Sequence, residues 1–210
     1  MKICFSLFLL LICSLANALD FKEGIDYVKL DTPVVGSEKK LIEFYNFACV
    51  YCFRAGGGVK VVLSKLPSDM TFERIPVVLG KGERFRTGAE IAYVAESAGL
   101  MHEYYDYIFQ VTRAPISWEQ KKYNYISSRS DAKIFFADLG VSDADFDKYL
   151  EQSKAAMEND NAFAKSLNLA GTPTFLIKGK YMVSGLKSVP YNERRLANLI
   201  FYILDLPESP

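Results

Sequence analysis

Histidine is almost absent from this chain, cysteine is scarce, and charge of neither sign is in excess: its 210 residues include one His, four Cys, and 25 basic against 25 acidic residues. The balanced charge provides no basic face for phosphates, so nucleic-acid binding is not expected. Outside the N-terminal segment, His102 and two cysteines are one short of the four ligands of a structural zinc site. Past the N-terminal segment there is no long hydrophobic run, no internal repeat and no low-complexity tract. A membrane-spanning helix needs roughly 20 apolar residues, and nothing here comes close.

What is present begins with a leader. Lys2, an apolar stretch from Ile3 to Leu11 and the A-x-A sequence Ala16-Asn17-Ala18 form a secretory signal, with cleavage expected after Ala18. Ile12, where a lipoprotein would carry a small residue before Cys13, argues against a lipid anchor. Cleavage removes Cys4 and Cys13, leaving Cys49 and Cys52. The remaining chain is large enough to bury a core and suits one domain, or one domain carrying an insertion.

Leu41-Ile42-Glu43-Phe44-Tyr45 reads as a buried strand, and after Asn46-Phe47-Ala48 a helix can begin. Thr71 to Val77 reads as a second strand, with Pro76 tolerable only at its end. Strand, helix, strand predicts a parallel βαβ unit. From about residue 80 to 167 the pattern is helical. Thr87 and Glu90 form a T-x-x-E capping box ahead of Ile91, Val94, Ala95 and Ala98, and Gly99 closes that helix. Ser130 is placed to cap Asp131 to Leu139, followed by Gly140, and Ser142 with Asp145 opens a segment holding Phe146, Tyr149 and Leu150. Strand character returns at Thr174-Phe175-Leu176-Ile177, and Lys178-Gly179-Lys180 predicts a tight turn into Tyr181-Met182-Val183. A last helix, from about Tyr191 to Leu204, carries Leu196, Leu199, Ile200 and Ile203 at helical spacing.

The chemistry centres on Cys49-Val50-Tyr51-Cys52. A structural disulfide framework spreads its cysteines along the chain, whereas a pair this close closes almost no loop and restrains the unfolded chain little. Half a zinc site and a structural bridge are therefore poorer readings than a redox pair. Disulfide exchange needs one thiolate to attack and a second thiol to resolve the mixed disulfide. At a helix N-terminus unpaired N–H groups and the macrodipole favour a negative sulfur, which makes Cys49 the nucleophile and Cys52, one turn further in, the shielded resolving thiol. Glu43 stands in an otherwise apolar strand, where a carboxylate either faces outward or must be paired or protonated.

The chain resembles the DsbA family of bacterial periplasmic thiol oxidoreductases. The resemblance rests on Leu41-Ile42-Glu43-Phe44, Cys49-Val50-Tyr51-Cys52, the strand near Thr71 to Val77, the helical insert, Gly171-Thr172-Pro173-Thr174 and Lys178-Gly179-Lys180-Tyr181, in matching order and spacing. It implies an α/β architecture, a thioredoxin fold with an inserted α-helical domain. Residues 1–18 would be the signal peptide, 19–79 and 155–210 the two thioredoxin-like parts, and 80–154 the insertion. On the residues alone Pro173 is a turn proline with a trans bond; the resemblance implies a cis bond that lies against the sulfurs and leaves Thr172 able to pair with a substrate backbone. It also implies that Glu43 is a buried acid moving a proton to or from Cys52. Arg74 is either a basic neighbour of that acid or a solvated strand charge. The catalytic set is then Cys49, Cys52 and Glu43, and the substrate-binding set is Val50, Tyr51, Thr172 and Pro173.

Two departures stand out. Many members have Pro-His between the cysteines; Val50-Tyr51 brings no positive charge to the sulfur, so a higher Cys49 pKa and a less oxidising disulfide than in those members are expected. Gly56-Gly57-Gly58 falls inside the active-site helix, where each glycine costs roughly 1 kcal/mol relative to alanine, and a bend or loosening is expected. Most aromatic residues of the insert, among them Tyr104, Tyr105, Tyr107, Phe109 and Trp118, are assigned to the core, with a few aromatics left to line an apolar groove near the active site.

The function implied is that of a periplasmic, monomeric dithiol oxidase. It would pass a disulfide to reduced, unfolded secreted proteins and be reoxidised by a membrane partner resembling DsbB. No cofactor or metal is expected, the Cys49–Cys52 disulfide being the redox group. The alternatives are a reductase or isomerase kept reduced in the periplasm, and a non-catalytic peptide-binding chaperone.

Overall fold

A computed structural model describes residues 21–101, 128–184 and 193–207. The leader, His102, the insert aromatics Tyr104, Tyr105, Tyr107, Phe109 and Trp118, and Tyr191 lie outside the described residues. The elements run β1 (Val28–Lys29), β2 (Lys40–Tyr45), α1 (Val50–Leu63), β3 (Thr71–Pro76), α2 (Glu83–Ser97), α3 (Arg129–Asp138), α4 (Asp143–Ser166), β4 (Thr174–Ile177), β5 (Tyr181–Ser184) and α5 (Glu193–Leu204). Among the described residues no helix is long and apolar enough to cross a membrane.

One sheet in the order β1-β5-β4-β2-β3 organises these elements. β2 and β3 are parallel, as the βαβ reading requires, and the other neighbours are antiparallel. Lys178 and Gly179, both at positive φ, make the tight turn between β4 and β5. Helices cover both faces, so β4 and, beyond Lys40, β2 are buried along their length and, Glu43 apart, show no alternation of apolar and polar residues there.

The two-residue period of a strand still sorts their side chains. Leu41, Phe175 and Ile177 pack with Val59 and Val62 of α1 and with Leu196, Leu199 and Ile200 of α5. Ile42, Phe44 and Leu176 point the other way, onto Phe163 and Ala164 of α4. Glu43 shares its parity with Leu41 and Tyr45 and therefore faces α1. A separate core gathers Ile91, Val94, Phe135, Phe136, Phe146 and Leu150 from α2, α3 and α4. The expected 154/155 division falls inside α4, whose first half packs in this helical core and whose second half packs on the sheet.

Two local expectations are corrected. α2 starts at Glu83, not at Thr87; Thr87 and Glu90 are interior residues, and Glu90 is buried in a bidentate pair with Arg129 at 2.8 and 2.6 Å. α3 is capped by Ser128 rather than Ser130, its hydroxyl accepting from the Asp131 amide. α1 runs without interruption through the glycine run to Leu63. A Cβ on Gly58 would stand 2.5 Å from the backbone oxygen of Glu193, and one on Gly57 would strike the Glu193 carboxylate. These glycines let α5 start against α1.

Candidate active site

β2 ends at Tyr45, and after three intervening residues Cys49 occupies the N-cap of α1 with an extended backbone. The turn is held by Asn46, which is 2% exposed. Its side-chain oxygen accepts from the Ala48 amide at 2.8 Å, its carbonyl accepts from the Cys49 amide at 2.9 Å, and its Nδ2 donates to the carbonyls of Val77 and Phe85 at 2.7 and 2.8 Å. One side chain thus ties the reactive turn to the end of β3 and to the first turn of α2. Gly88 assists: a Cβ there would lie 2.8 Å from the Ala48 nitrogen, so only glycine admits α2 this close.

Both cysteines are free thiols, Cys49 half-buried and Cys52 buried. The Cys49 thiol donates to the Thr172 carbonyl at 3.1 Å. Its pKa is pulled down to about 6: the Cys52 thiol donates to it, and the Thr172 hydroxyl and the amides of Cys52 and Tyr51 add to this against the opposing effect of burial. Cys52 moves the opposite way. Packed with Tyr45 and Ala92, it is pushed well above its ordinary value by burial first, then by its bond to Cys49 and the nearby negative charges of Cys49 and Glu43. One sulfur is poised as an anion and the other is kept as a thiol, in line with thiolate-controlled reactivity.

Beneath the pair, Glu43 is 1% exposed and accepts from Arg74 Nε at 2.8 Å. Arg74 is thus paired rather than solvated. Burial raises the Glu43 pKa, with the Arg74 charge and hydrogen bond pulling against it. Desolvation wins because no water reaches the carboxylate.

The peptide bond between Thr172 and Pro173 is cis, and both residues are buried. Val50 and Tyr51 flank the nucleophile at the surface, Val50 being 51% exposed. With Thr172, Leu79, Phe85 and Arg84 they line a cavity of about 230 Å³ beside Cys49; Pro173 is not part of that lining. Asn46, Gly88 and Arg84 were missed from the sequence. The only signal for Asn46 was a group able to donate and accept at a strand-to-helix junction, and for Gly88 a residue without a side chain on an otherwise well-formed helix. No group of three or more His, Cys, Asp or Glu among the described residues is arranged to hold a metal ion.

Comparison with known proteins adds to this geometry. The family model of the DSBA-like thioredoxin domain matches residues 40–197. Thiol:disulfide interchange protein DsbA of Pseudomonas aeruginosa is 28% identical over 179 residues, 79% of this chain and 77% of its own. DsbA of Salmonella typhimurium is 26% identical over 200 residues, 90% and 91% of the two chains. The crystal structure of a variant of Pseudomonas aeruginosa DsbA shares the fold with a TM-score of 0.72 at 22% identity, over 89% of this chain and 97% of that one. Because the family match runs unbroken from β2 through both cysteines, the helical insertion and the Thr172-Pro173 loop into α5, the chain belongs to the DSBA-like thioredoxin domain family.

Proposed function

We propose that this protein is a periplasmic thiol:disulfide oxidoreductase that oxidises dithiols of newly secreted proteins. The observation that carries the reading is the opposed pair of sulfurs, Cys49 with its pKa lowered to about 6 and buried Cys52 raised. A sulfur that is stable as a thiolate is a good leaving group and favours the reduced pair, so the corresponding disulfide is a willing oxidant.

In the oxidised state a substrate thiolate attacks Sγ of Cys49, the Cys49–Cys52 bond breaks, and Cys52 leaves with the electron pair. Cys52 requires a proton there, and Glu43, buried and with its pKa raised, is suited to supply it. A second substrate thiolate then attacks the substrate sulfur of the mixed disulfide and releases Cys49 as a thiolate. The substrate loses two electrons and gains a disulfide, and the Cys49–Cys52 pair gains those electrons. Thr172, buried beside Cys49, the exposed Val50 and the half-buried Tyr51 are assigned to holding the substrate, with Pro173 shaping that loop. We further assign reoxidation to a membrane partner resembling DsbB, no cofactor beyond the cysteine pair, action as a monomer, and export through the expected leader.

The test is oxidative refolding. Stoichiometric oxidised protein added to a reduced, unfolded secreted protein should generate native disulfides in it, and Cys49→Ser should not. Rapid insulin reduction without oxidation of the unfolded substrate would favour a reductase and overturn this reading.

A further inference from the structure

The cavity beside Cys49 has apolar walls built by Val50, Tyr51, Leu79 and Phe85, and at its mouth stands Arg84, the only Lys, Arg, Asp or Glu in its lining. Val50 and Leu79 are also among the large apolar side chains exposed on the described surface. Arg84 Nη2 donates to the carbonyl of Ala48 at 3.1 Å, the residue immediately before the nucleophile, and the guanidinium lies 4.7 Å from the centroid of the Phe85 ring. Among the described residues no carboxylate pairs with Arg84. A guanidinium has five N–H donors in a planar fork, and the single bond to Ala48 leaves most of them available.

The backbone that carries this cation is fixed from both sides. Asn46 holds the Phe85 carbonyl at 2.8 Å, and Gly88 lets the next turn of α2 press onto Ala48. The start of α2, which carries Arg84, is therefore held against the reactive turn, and the Ala48 bond brings the guanidinium to the residue before Cys49. A substrate cysteine must reach Cys49 for exchange, which carries its neighbouring residues across this cavity.

We propose that Arg84 is a specificity-determining residue that favours substrate segments carrying an Asp or Glu next to the reacting cysteine, with an apolar neighbour against Val50, Leu79 and Phe85. The inference rests on the thiol-disulfide exchange proposed above. An exposed charge pair of this kind changes a rate by about threefold at low ionic strength, and the effect shrinks as salt screens it.

The test uses the oxidised protein and two dithiol peptides that differ only by Asp or Asn beside the first cysteine. The Asp/Asn ratio of oxidation rates is compared among variants, so that any effect of the carboxylate on the peptide's own thiol cancels. The parent ratio should exceed that of Arg84→Gln by about threefold at low salt, and the difference should fade in high salt. Arg84→Lys should keep the preference. Arg86→Gln should keep it too, since Arg86 is exposed but does not line the cavity. Equal ratios in the parent and Arg84→Gln would overturn the inference, and so would an equal loss in Arg86→Gln. If the oxidised parent fails to oxidise even dithiothreitol, the exchange reaction itself is refuted and the inference falls with it; a parent that oxidises dithiothreitol but ignores peptide charge refutes the inference alone.

Discussion

Glu43 and Arg74 are directly opposite one another on the parallel strands β2 and β3, and their side chains meet at 2.8 Å with the carboxylate closed off from solvent. The pair is asymmetric: the Arg74 side chain is 20% exposed and that of Glu43 1%. Arginine therefore reaches the acid from the wet side, while the acid faces the cysteines. The raised pKa of Glu43 shows that desolvation outweighs the ion pair. A solvated carboxylate beside an arginine would shift the other way.

Removal of Arg74 should expose this balance. A group whose folded pKa lies above its ordinary value of 4.5 adds most stability below that value and loses it as pH rises through the folded pKa. Arg74→Met takes away what holds Glu43 down, so its folded pKa rises further. The variant should match the parent most closely below about pH 4.5 and fall behind toward neutrality by on the order of 2–3 kcal/mol. Urea unfolding across that range measures the difference, and a pH-independent loss would assign the effect to packing alone.

The glycines of α1 give a contrast within one helix. Gly58→Ala puts a methyl against the Glu193 backbone, which cannot move without shifting α5, so the overpacking cost of about 1–3 kcal/mol should exceed the helix-propensity gain of about 1. Gly57→Ala meets only the carboxylate end of the same residue, a group that can swing away. Thermal melts should rank Gly58→Ala below both Gly57→Ala and the parent; equal melting of the two variants would contradict the close-approach explanation.

The sequence made β2, α1 and β3 legible because their signals are local: an apolar run, a C-x-x-C at a helix start, and a proline tolerated only at the end of a strand. The resemblance brought Thr172, Pro173, Glu43 and Arg74 into the candidate site, where the residues alone left them ambiguous. What could not be read were residues whose work is done across the fold. Asn46 binds the carbonyls of Val77 and Phe85, 31 and 39 positions away. Glu90 had the spacing of a capping residue but pairs with Arg129 instead. The misplaced cap of α3 is a local error: Ser128, not Ser130, has Asp131 three residues on, the spacing a cap requires.

The reduced and oxidised forms should differ in pH dependence. A thiol whose folded pKa is lowered contributes stability that is fully present above its ordinary value of 9.0 and is lost as pH falls through about 6. The oxidised protein has no such thiol. The stability of the reduced form relative to the oxidised form should therefore climb between about pH 6 and 9, by less than the limit of about 1.4 kcal/mol per unit because the sulfur is only partly shielded. Tyr51→His, which puts a cation beside the sulfur, should move the start of the climb to lower pH; an unchanged profile would show that the residue between the cysteines does not tune Cys49.

The most direct measurement is the pH dependence of alkylation of the reduced protein, with the modified cysteine located by mass spectrometry. Cys49 should be modified with an apparent pKa of about 6, while Cys52 stays unmodified through that range. Modification of Cys52 first, or of Cys49 only near the ordinary value of 9.0, would contradict the assignment of attacking and resolving sulfurs.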